Sequence, residues 1–521
     1  MAGRTLLDVL KYGEPSAPAI VVPGGVRLTY RELREQVSAA ADGLAQLGVG
    51  RDDRVALVLP NSVEAIVMFL AASTVGTAAP LNAAYKEEEF RFYLQDTGAR
   101  ALVVPPGQGE AARRAMPAGV SLVEARMDPH GKLAMESTAA ARDASRTATA
   151  PDDDDVALVL HTSGTTSRPK LVPLRHRNLF ASADNIASTY GLEPSDVALC
   201  VMPLFHIHGL MASTMATLRS GGTIVVPPKF DPLTFWPAVH DHGTTWYSAV
   251  PTMHQMLLMR NRGERPPGAE KLRFIRSSSS ALSPETMHQL ESRFGAPVLE
   301  AYGMTEASHQ MASNPLPPGE RRPGTVGVGT GVRLGVMDEA GKLLPQGHAG
   351  EVVIQGPNVI DGYSNNPEAN ASSFITGWFR TGDQGILDDG GYLSLIGRLK
   401  EMINRGGEKI APREIDDVLM QHPAVGEAVA FGSPHPSLGE EVVAAVVLKQ
   451  PVSEKELIAF ARERLADYKV PRKLYIVDKI PTTATGKVQR RAVASTFNPQ
   501  GGARELAPPG PRLEGGAPPS Q

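Results

Sequence analysis

A single cysteine, Cys200, stands among 521 residues. No disulfide can form within the chain, and no cysteine-built metal cluster is possible. Cys200 lies in the apolar run "VALCVMPLF" and reads as core. Zinc-type His/Cys spacing is missing, and no internal repeat stands out. Strong charge of either sign is missing too: the formal net charge is −4. A field that would draw the whole chain to nucleic acid or to an anionic membrane is thereby excluded, and any basic residue that matters must act locally. Long hydrophobic runs are absent. The best candidate, Ala65–Gly76, falls short of the roughly 20 residues that a membrane span requires, and reads as a buried helix. The opening "MAGRTLLDVLKYGEP" has only a short apolar patch before its charges, unlike a secretory leader. The terminal "PSQ" is not a peroxisomal address, so the cytoplasm is the expected location. Neither membrane insertion nor a nucleic-acid partner is expected.

What is present is a composition of 42% hydrophobic and 21% charged residues, ordinary for a globular chain long enough for several domains. Helical and strand patterns alternate, which argues for α/β layering. In "LTYRELREQVSAAADGLAQLG", Thr29 and Glu32 have capping-box spacing. Leu33, Val37, Ala40, Leu44 and Leu47 form one apolar stripe that Gly48 ends. "RVALVLP" and "RALVVPP" read as buried strands, and Asn61 as the start of a helix. The stretch from Ala125 to Asp155 is small, polar and aperiodic, and reads as a surface connection. Gly- and Pro-rich β-like segments follow Ser313, and a small α/β unit begins near Arg398. The closing "PQGGARELAPPGPRLEGGAPPSQ" has the composition of a disordered tail.

The strand "VALVL" runs directly into "HTSGTTSRPK", His161 to Lys170. This is not a Walker loop, because no second glycine precedes the lysine. Pro169 pushes Arg168 away from helical geometry, and Val172 and Pro173 disfavour a helix afterwards. What remains is a turn after a strand. It offers backbone amides around Gly164, hydroxyls at Thr162, Ser163, Thr165, Thr166 and Ser167, and the Lys170 ammonium. Such a loop can wrap a polyphosphate without a helix dipole; a polar surface turn is the alternative.

"TSGTTSRPK" resembles the phosphate loop of the acyl-adenylate-forming superfamily. Six further motifs follow in that family's order: "PLFHIHG", "EAYGMTEA", "GEVVIQGPNV", "GWFRTGD", "GRLKEMINRGGEKIAPREID" and "PTTATGKVQRR". The resemblance implies an α/β fold. It has a large N-terminal adenylation domain of layered α/β subdomains plus a β-rich subdomain over residues 1–397. A small, mobile α+β lid spans 398–497, and a tail 498–521. It implies an AMP-forming acid–thiol ligase that uses ATP, Mg2+ and coenzyme A. A carboxylate attacks the α-phosphate, then a thiol displaces AMP, so positioning and charge stabilisation dominate.

Site residues follow from the same resemblance. Lys487 is the adenylation lysine that bridges carboxylate and α-phosphate. Thr305 and Glu306 suit a hard Mg2+. Asp383, in an expected turn, accepts the ribose hydroxyls, Arg398 is the second ribose contact, and Tyr302 stacks on adenine within the Glu300, Ala301, Gly303 segment. Lys400 is the hinge, Lys409 reaches the AMP phosphate, and Gly406 and Gly407 let the pantetheine arm pass. His206 gates the acid tunnel. His208 lies behind it, on an extended segment that puts both histidines on one face.

The departures from the common pattern are Ser167 and Leu171 in place of glycines, and Asn404 in place of a lysine. Leu171, bulky where a glycine allowed close backbone approach, is expected to reshape the phosphate loop or to slow adenylation. Where relatives carry a small apolar acyl wall, this chain has "RSSSSALSP", and His309 follows the magnesium motif. Burying such groups without partners costs roughly 1–3 kcal/mol each, so a greasy acyl tail is a poor fit. A second carboxylate or a short polar acid fits better, and the combination most resembles oxalate–CoA ligases. Ser278, Ser279, Ser280 and His309 are candidates for the distal carboxylate, with Arg276 a weaker one. The alternatives are a medium- or long-chain fatty acyl-CoA ligase and a catalytically weak nucleotide-binding relative.

Overall fold

The computed structural model describes residues 4–128, 130–138, 141, 143–162, 169–261, 263–483 and 488–498. The chain divides into two compact units, a larger one that runs to Lys400 and a smaller one that begins at Glu401. The expected disordered tail lies, from residue 499 onward, outside the described residues.

Three sheets build the larger unit. The first has nine strands, and its centre is parallel: Pro18–Val21, Thr223–Val225, Val197–Leu199, Trp246–Ala249, Phe274–Ser277 and Val298–Met304 lie side by side. Antiparallel strands close both of its edges. The second has seven strands, parallel in the middle, with an antiparallel hairpin of Val156–Thr162 and Lys170–Arg175 at one edge. The third is a five-stranded antiparallel sheet that contains Ala349–Gln355, Trp378–Leu387 and Leu393–Arg398.

Local sequence explains the first helix, Tyr30–Gln46. The Thr29 hydroxyl accepts from the Glu32 amide, and the Glu32 carboxylate accepts from the Thr29 amide at 2.8 Å. Leu33, Val37, Ala40, Leu44 and Leu47 are all buried. They pack against Val63–Val75, a helix buried nearly all round. That helix starts after Ser62, not at Asn61. Asn61 instead ties two segments together: it accepts from the Leu204 amide and donates to the Met202 carbonyl, both at 2.9 Å. Among the described residues no helix is long and apolar enough to cross a membrane.

The stretch after Ala125 is not all connection, because Leu133–Ser137 is an edge strand paired antiparallel with Ser121–Met127. The "FHIHG" segment is not extended: His208–Met215 forms a wide π-helical turn, with Ile207 already helical.

The smaller unit is a five-stranded sheet whose longest pair, Val425–His435 and Gly439–Leu448, is antiparallel. Helices Pro412–Met420 and Glu454–Arg462 supply Ile415, Leu419 and Leu457 to its core. Buried Asp416 takes the Arg490 guanidinium at 2.7 Å and so fixes the start of the helix Arg490–Phe497.

Candidate active site

In the nine-stranded sheet the candidate residues sit at the carboxyl ends of parallel strands, where open α/β sheets leave a crevice. Ser248 lies one residue before the end of one strand, Arg276 and Ser277 close the next, and Tyr302 to Met304 close a third. In the hairpin Val156–Thr162 and Lys170–Arg175, Thr162 faces Lys170 across the ladder. The loop is therefore followed by a strand and not by a helix, which Pro169 and Pro173 disfavour. Ser163, Gly164, Thr165, Thr166 and Ser167 lie outside the described residues.

Lys170 Nζ stands 4.3 Å from the centre of the Tyr363 ring. The Tyr363 hydroxyl donates to Glu306 Oε1 at 2.9 Å. Burial pushes the Glu306 carboxyl up, against the pull of the Tyr363 hydroxyl, Arg398 and Lys170. Lys170 is held below its usual range by burial; Glu306 opposes that shift and Lys400 adds to it. Lys170, Lys400 and Glu306 thus share one electrostatic neighbourhood. Thr305, half-buried beside Glu306, adds a hydroxyl. One carboxylate and one hydroxyl suit magnesium, which keeps waters and phosphate oxygens as its other ligands. A bound ion here would shield phosphate charge and favour the ionised form of Glu306. Tyr363 carried no distinguishing pattern in the sequence, and only the fold brings it to Glu306.

Asp383 lies in the strand Trp378–Leu387 rather than in a turn. The pairing of that strand with Ala349–Gln355 shifts between Arg380 and Gln384, so Asp383 sits on a bulge. Its Oδ2 accepts from the Tyr302 hydroxyl at 2.5 Å, and its Oδ1 pairs with Arg398 Nε at 2.8 Å. Arg398 is its register partner across the ladder. The structure therefore joins three residues that the sequence placed separately. Glu300 is buried and turned inward, where it accepts from the Leu282 amide at 3.0 Å and anchors the serine loop. The Ala301 carbonyl accepts from Ser278 Oγ at 2.9 Å, so Ser278 is occupied by backbone. At Gly303 any Cβ would meet the His309 carbonyl at 2.1 Å, so glycine is required there by backbone packing.

The acid-pocket candidates converge on Arg276, which is fully buried. Its Nε donates to the Tyr190 hydroxyl, Nη1 to Ser248 Oγ and Nη2 to Gln310 Oε1, each at 2.9 Å. Nη1 also faces His208 Nε2, and Nη2 faces His309 Nδ1, both at 3.4 Å. Among the described residues no carboxylate pairs with this guanidinium. The two imidazoles tilt against each other with centres 4.9 Å apart. His208 Nδ1 meets Ser279 Oγ at 2.9 Å, and His208 Nε2 meets Ser248 Oγ at 2.7 Å. Burial, then the neighbouring His309 and Arg276, hold His208 far below the usual imidazole range. Burial and then Arg276 do the same for His309. His206 is half-buried, and its Nδ1 accepts from the His208 amide at 3.2 Å. Ser280 is half-buried next to Ser279. The sequence ranked Arg276 last, whereas it is the hub, and Ser248, Tyr190 and Gln310 are its unforeseen partners.

In the smaller unit, Gly406 and Gly407 form the two-residue turn between Ile403–Arg405 and Glu408–Ile410, with φ of 62° and 95°. Positive φ at both positions selects glycine on conformational grounds alone. Lys409 follows on an exposed strand, paired in register with Asn404. Lys487 lies outside the described residues.

Residues 11–364 match the family described as AMP-binding enzyme, and residues 414–487 its C-terminal domain. The chain is 47% identical to the probable CoA ligase CCL9 of Humulus lupulus, over 92% of this chain and 93% of that one. It is 46% identical to an oxalate–CoA ligase of Arabidopsis thaliana, over 94% and 98% of the two chains. Identity to a sulfoacetate–CoA ligase of Cupriavidus necator is 37%, over 91% and 94%. Among solved structures, ATP-bound MatB from Rhodopseudomonas palustris superposes with a TM-score of 0.86 at 32% identity, covering 95% of this chain and 99% of that one. The ordered motifs, the layered α/β architecture and these matches lead to one assignment: the chain belongs to the AMP-binding, adenylate-forming ligase family and is an ATP-dependent, AMP-forming acid–CoA ligase.

Proposed function

We propose that the acid is oxalate. In the first step one oxalate carboxylate attacks the α-phosphorus of ATP and pyrophosphate leaves. In the second, the thiol of coenzyme A attacks the acyl carbon, AMP leaves, and oxalyl-CoA forms. The observation that carries this reading is the buried Arg276, surrounded by two neutral imidazoles, Ser248 and Ser279 and paired with no carboxylate of the described residues. A hydrocarbon tail would leave that charge and those polar groups without an anion. The second carboxylate of a two-carbon diacid supplies one. The named Arabidopsis relative favours oxalate. The sulfoacetate relative marks the nearest rival, an acid of similar size with a different second anion.

Around that acid the other candidates take their roles. Thr162, Ser163, Gly164, Thr165, Thr166, Ser167 and Lys170 hold the phosphates, and Thr305 and Glu306 hold magnesium. Asp383 and Arg398 hold the ribose, and Tyr302 lines the adenine. Lys487 carries adenylation, while Lys400 is the pivot between the half-reactions. Lys409, Gly406 and Gly407 serve the thioester step, and His206 gates the acid. The test is pyrophosphate release with ATP, Mg2+ and coenzyme A across oxalate, sulfoacetate, malonate, benzoate and octanoate. Oxalate is expected to give the highest kcat/KM; turnover of octanoate with none of oxalate would end the proposal.

A further inference from the structure

We infer that Arg276 is a positioning residue that sets the hydrogen-bond polarity of the acid pocket, so that Ser279 and His309 both offer protons to an anionic second group on the substrate. This rests on the reading above that the acid carries such a group, and it adds the residue that enforces the choice.

A guanidinium has five N–H donors and no acceptor. Every group that Arg276 meets must therefore accept from it. Ser248 Oγ accepts from Nη1, which leaves the Ser248 proton for its other neighbour, His208 Nε2. His208 Nε2 also faces Nη1, so this nitrogen carries the lone pair. The one ring proton of a neutral His208 then sits on Nδ1, which faces Ser279 Oγ. Ser279 accepts it, and its own hydroxyl proton is left to point onward. The same logic applies on the other side. His309 Nδ1 faces Nη2 and carries the lone pair, so the His309 proton sits on Nε2. Among the described residues neither Ser279 Oγ nor His309 Nε2 has another hydrogen-bond partner. One buried cation thus turns two relays to the same sense, and each ends in an outward donor.

Backbone geometry points to the same two residues. Ser279 and His309 adopt φ of 70° and 106°, a region that residues with a Cβ seldom occupy. Strain of this kind persists where the surrounding structure holds a side chain in place for use. The tight approach of Gly303 to the His309 carbonyl is one of the contacts that hold it. The outcome is a pair of donors suited to a group that only accepts, an ionised carboxylate. An alkyl chain or an amide nitrogen offers no matching acceptor.

The experiment compares oxalate with oxamate, in which an amide replaces the second carboxylate at nearly equal size. Wild-type enzyme is expected to prefer oxalate in kcat/KM by about 100-fold or more, because a mismatched donor leaves buried groups unpaired. Arg276→Gln, whose amide can donate or accept, is expected to cut that preference to about tenfold or less. The loss should appear in KM for the acid, with KM for ATP unchanged and kcat within about threefold. Arg276→Lys, again a donor without lone pairs, should recover part of the preference. Ser248→Ala breaks only the relay to His208 and should lower the preference partway, which keeps the test open if Arg276→Gln fails to fold. Equal loss for oxalate and oxamate in the Arg276 and Ser248 variants would overturn the inference. Should wild type use sulfoacetate and not oxalate, the oxalate reading falls. The same comparison, run on sulfoacetate against its sulfonamide, then decides the role of Arg276. Wild-type preference for octanoate overturns both.

Discussion

Lys170 and Leu171 leave one strand on opposite faces. Lys170 lies over the Tyr363 ring, while Leu171 is buried against Ala79 and Val159 beneath the hairpin. Leu171 therefore turns away from the side that Lys170 takes; it packs the floor of the hairpin. Leu171→Ala should destabilise the chain by about 2–5 kcal/mol, and Leu171→Gly by somewhat more. Chemical unfolding followed by fluorescence measures this. A midpoint unchanged from wild type would mean that the side chain contributes nothing to the floor.

Asp383 holds Tyr302 with one oxygen and Arg398 with the other. Asp383→Asn keeps the shape but removes the charge, and hydrogen bonds to charged groups contribute about 1.5–3 kcal/mol. KM for ATP should rise by about tenfold or more, with KM for the acid little changed. ATP titrations of pyrophosphate release check this. Equal shifts in both constants would place Asp383 outside the nucleotide site.

Tyr363 links Lys170, proposed to hold phosphate, to Glu306, proposed to hold magnesium. Tyr363→Phe keeps the ring under Lys170 and removes the hydroxyl that donates to Glu306. The Glu306 carboxyl, already raised by burial, should rise further. Half-saturation by Mg2+ in the adenylation step should therefore move to higher concentration, most clearly as pH falls. A Mg2+ dependence identical to wild type at pH 6 and pH 8 would detach Tyr363 from the metal's carboxylate.

Four buried histidines give the fold an acid limit. Burial lowers His176 and His254 to about 4, and His208 and His309 also lie well below the ordinary value. Below about pH 6.5 the unfolded chain binds protons that the folded chain refuses, so stability falls with pH. Each group contributes up to about 1.4 kcal/mol per pH unit until its folded pKa is reached. At neutral pH and above these groups contribute no slope. Thermal melts from pH 8 to pH 4.5 should be flat at first and then drop steeply below pH 6.5. A histidine-independent profile in His176→Gln and His254→Gln variants would contradict this assignment.

What the sequence makes legible here is whatever one segment decides alone. Thr29 with Glu32 caps a helix within four residues, and Pro169 with Pro173 disfavours a helix after the loop that ends at Lys170. Both appear in the structure. Where several segments decide together, the sequence is silent. "HGLMASTM" is buried on every side, so neither a twofold nor a 3.6-residue period shows, and its π-helical turn is unreadable. "LAMES" becomes a strand only because Ser121–Met127 offers it an edge. Arg276 looks like any arginine at a strand end until Tyr190, Ser248, His208, His309 and Gln310 arrive from separate segments.

Lys487 is the charge proposed for adenylation, and on that proposal its role belongs to the first step alone. Forming the acyl-adenylate brings a carboxylate against a phosphate, and an ammonium between them offsets that repulsion. The second step removes AMP with a thiol and meets no such pair of approaching anions. Lys487→Ala should therefore slow pyrophosphate release by about 100-fold or more, since loss of one well-placed charge costs roughly 3 kcal/mol. Thioester formation from supplied oxalyl-adenylate should stay within about threefold of wild type, because that barrier never contained the lost term. A fall of equal size in both steps would show that one arrangement of residues serves them both, and Lys400 would then have no pivot to provide.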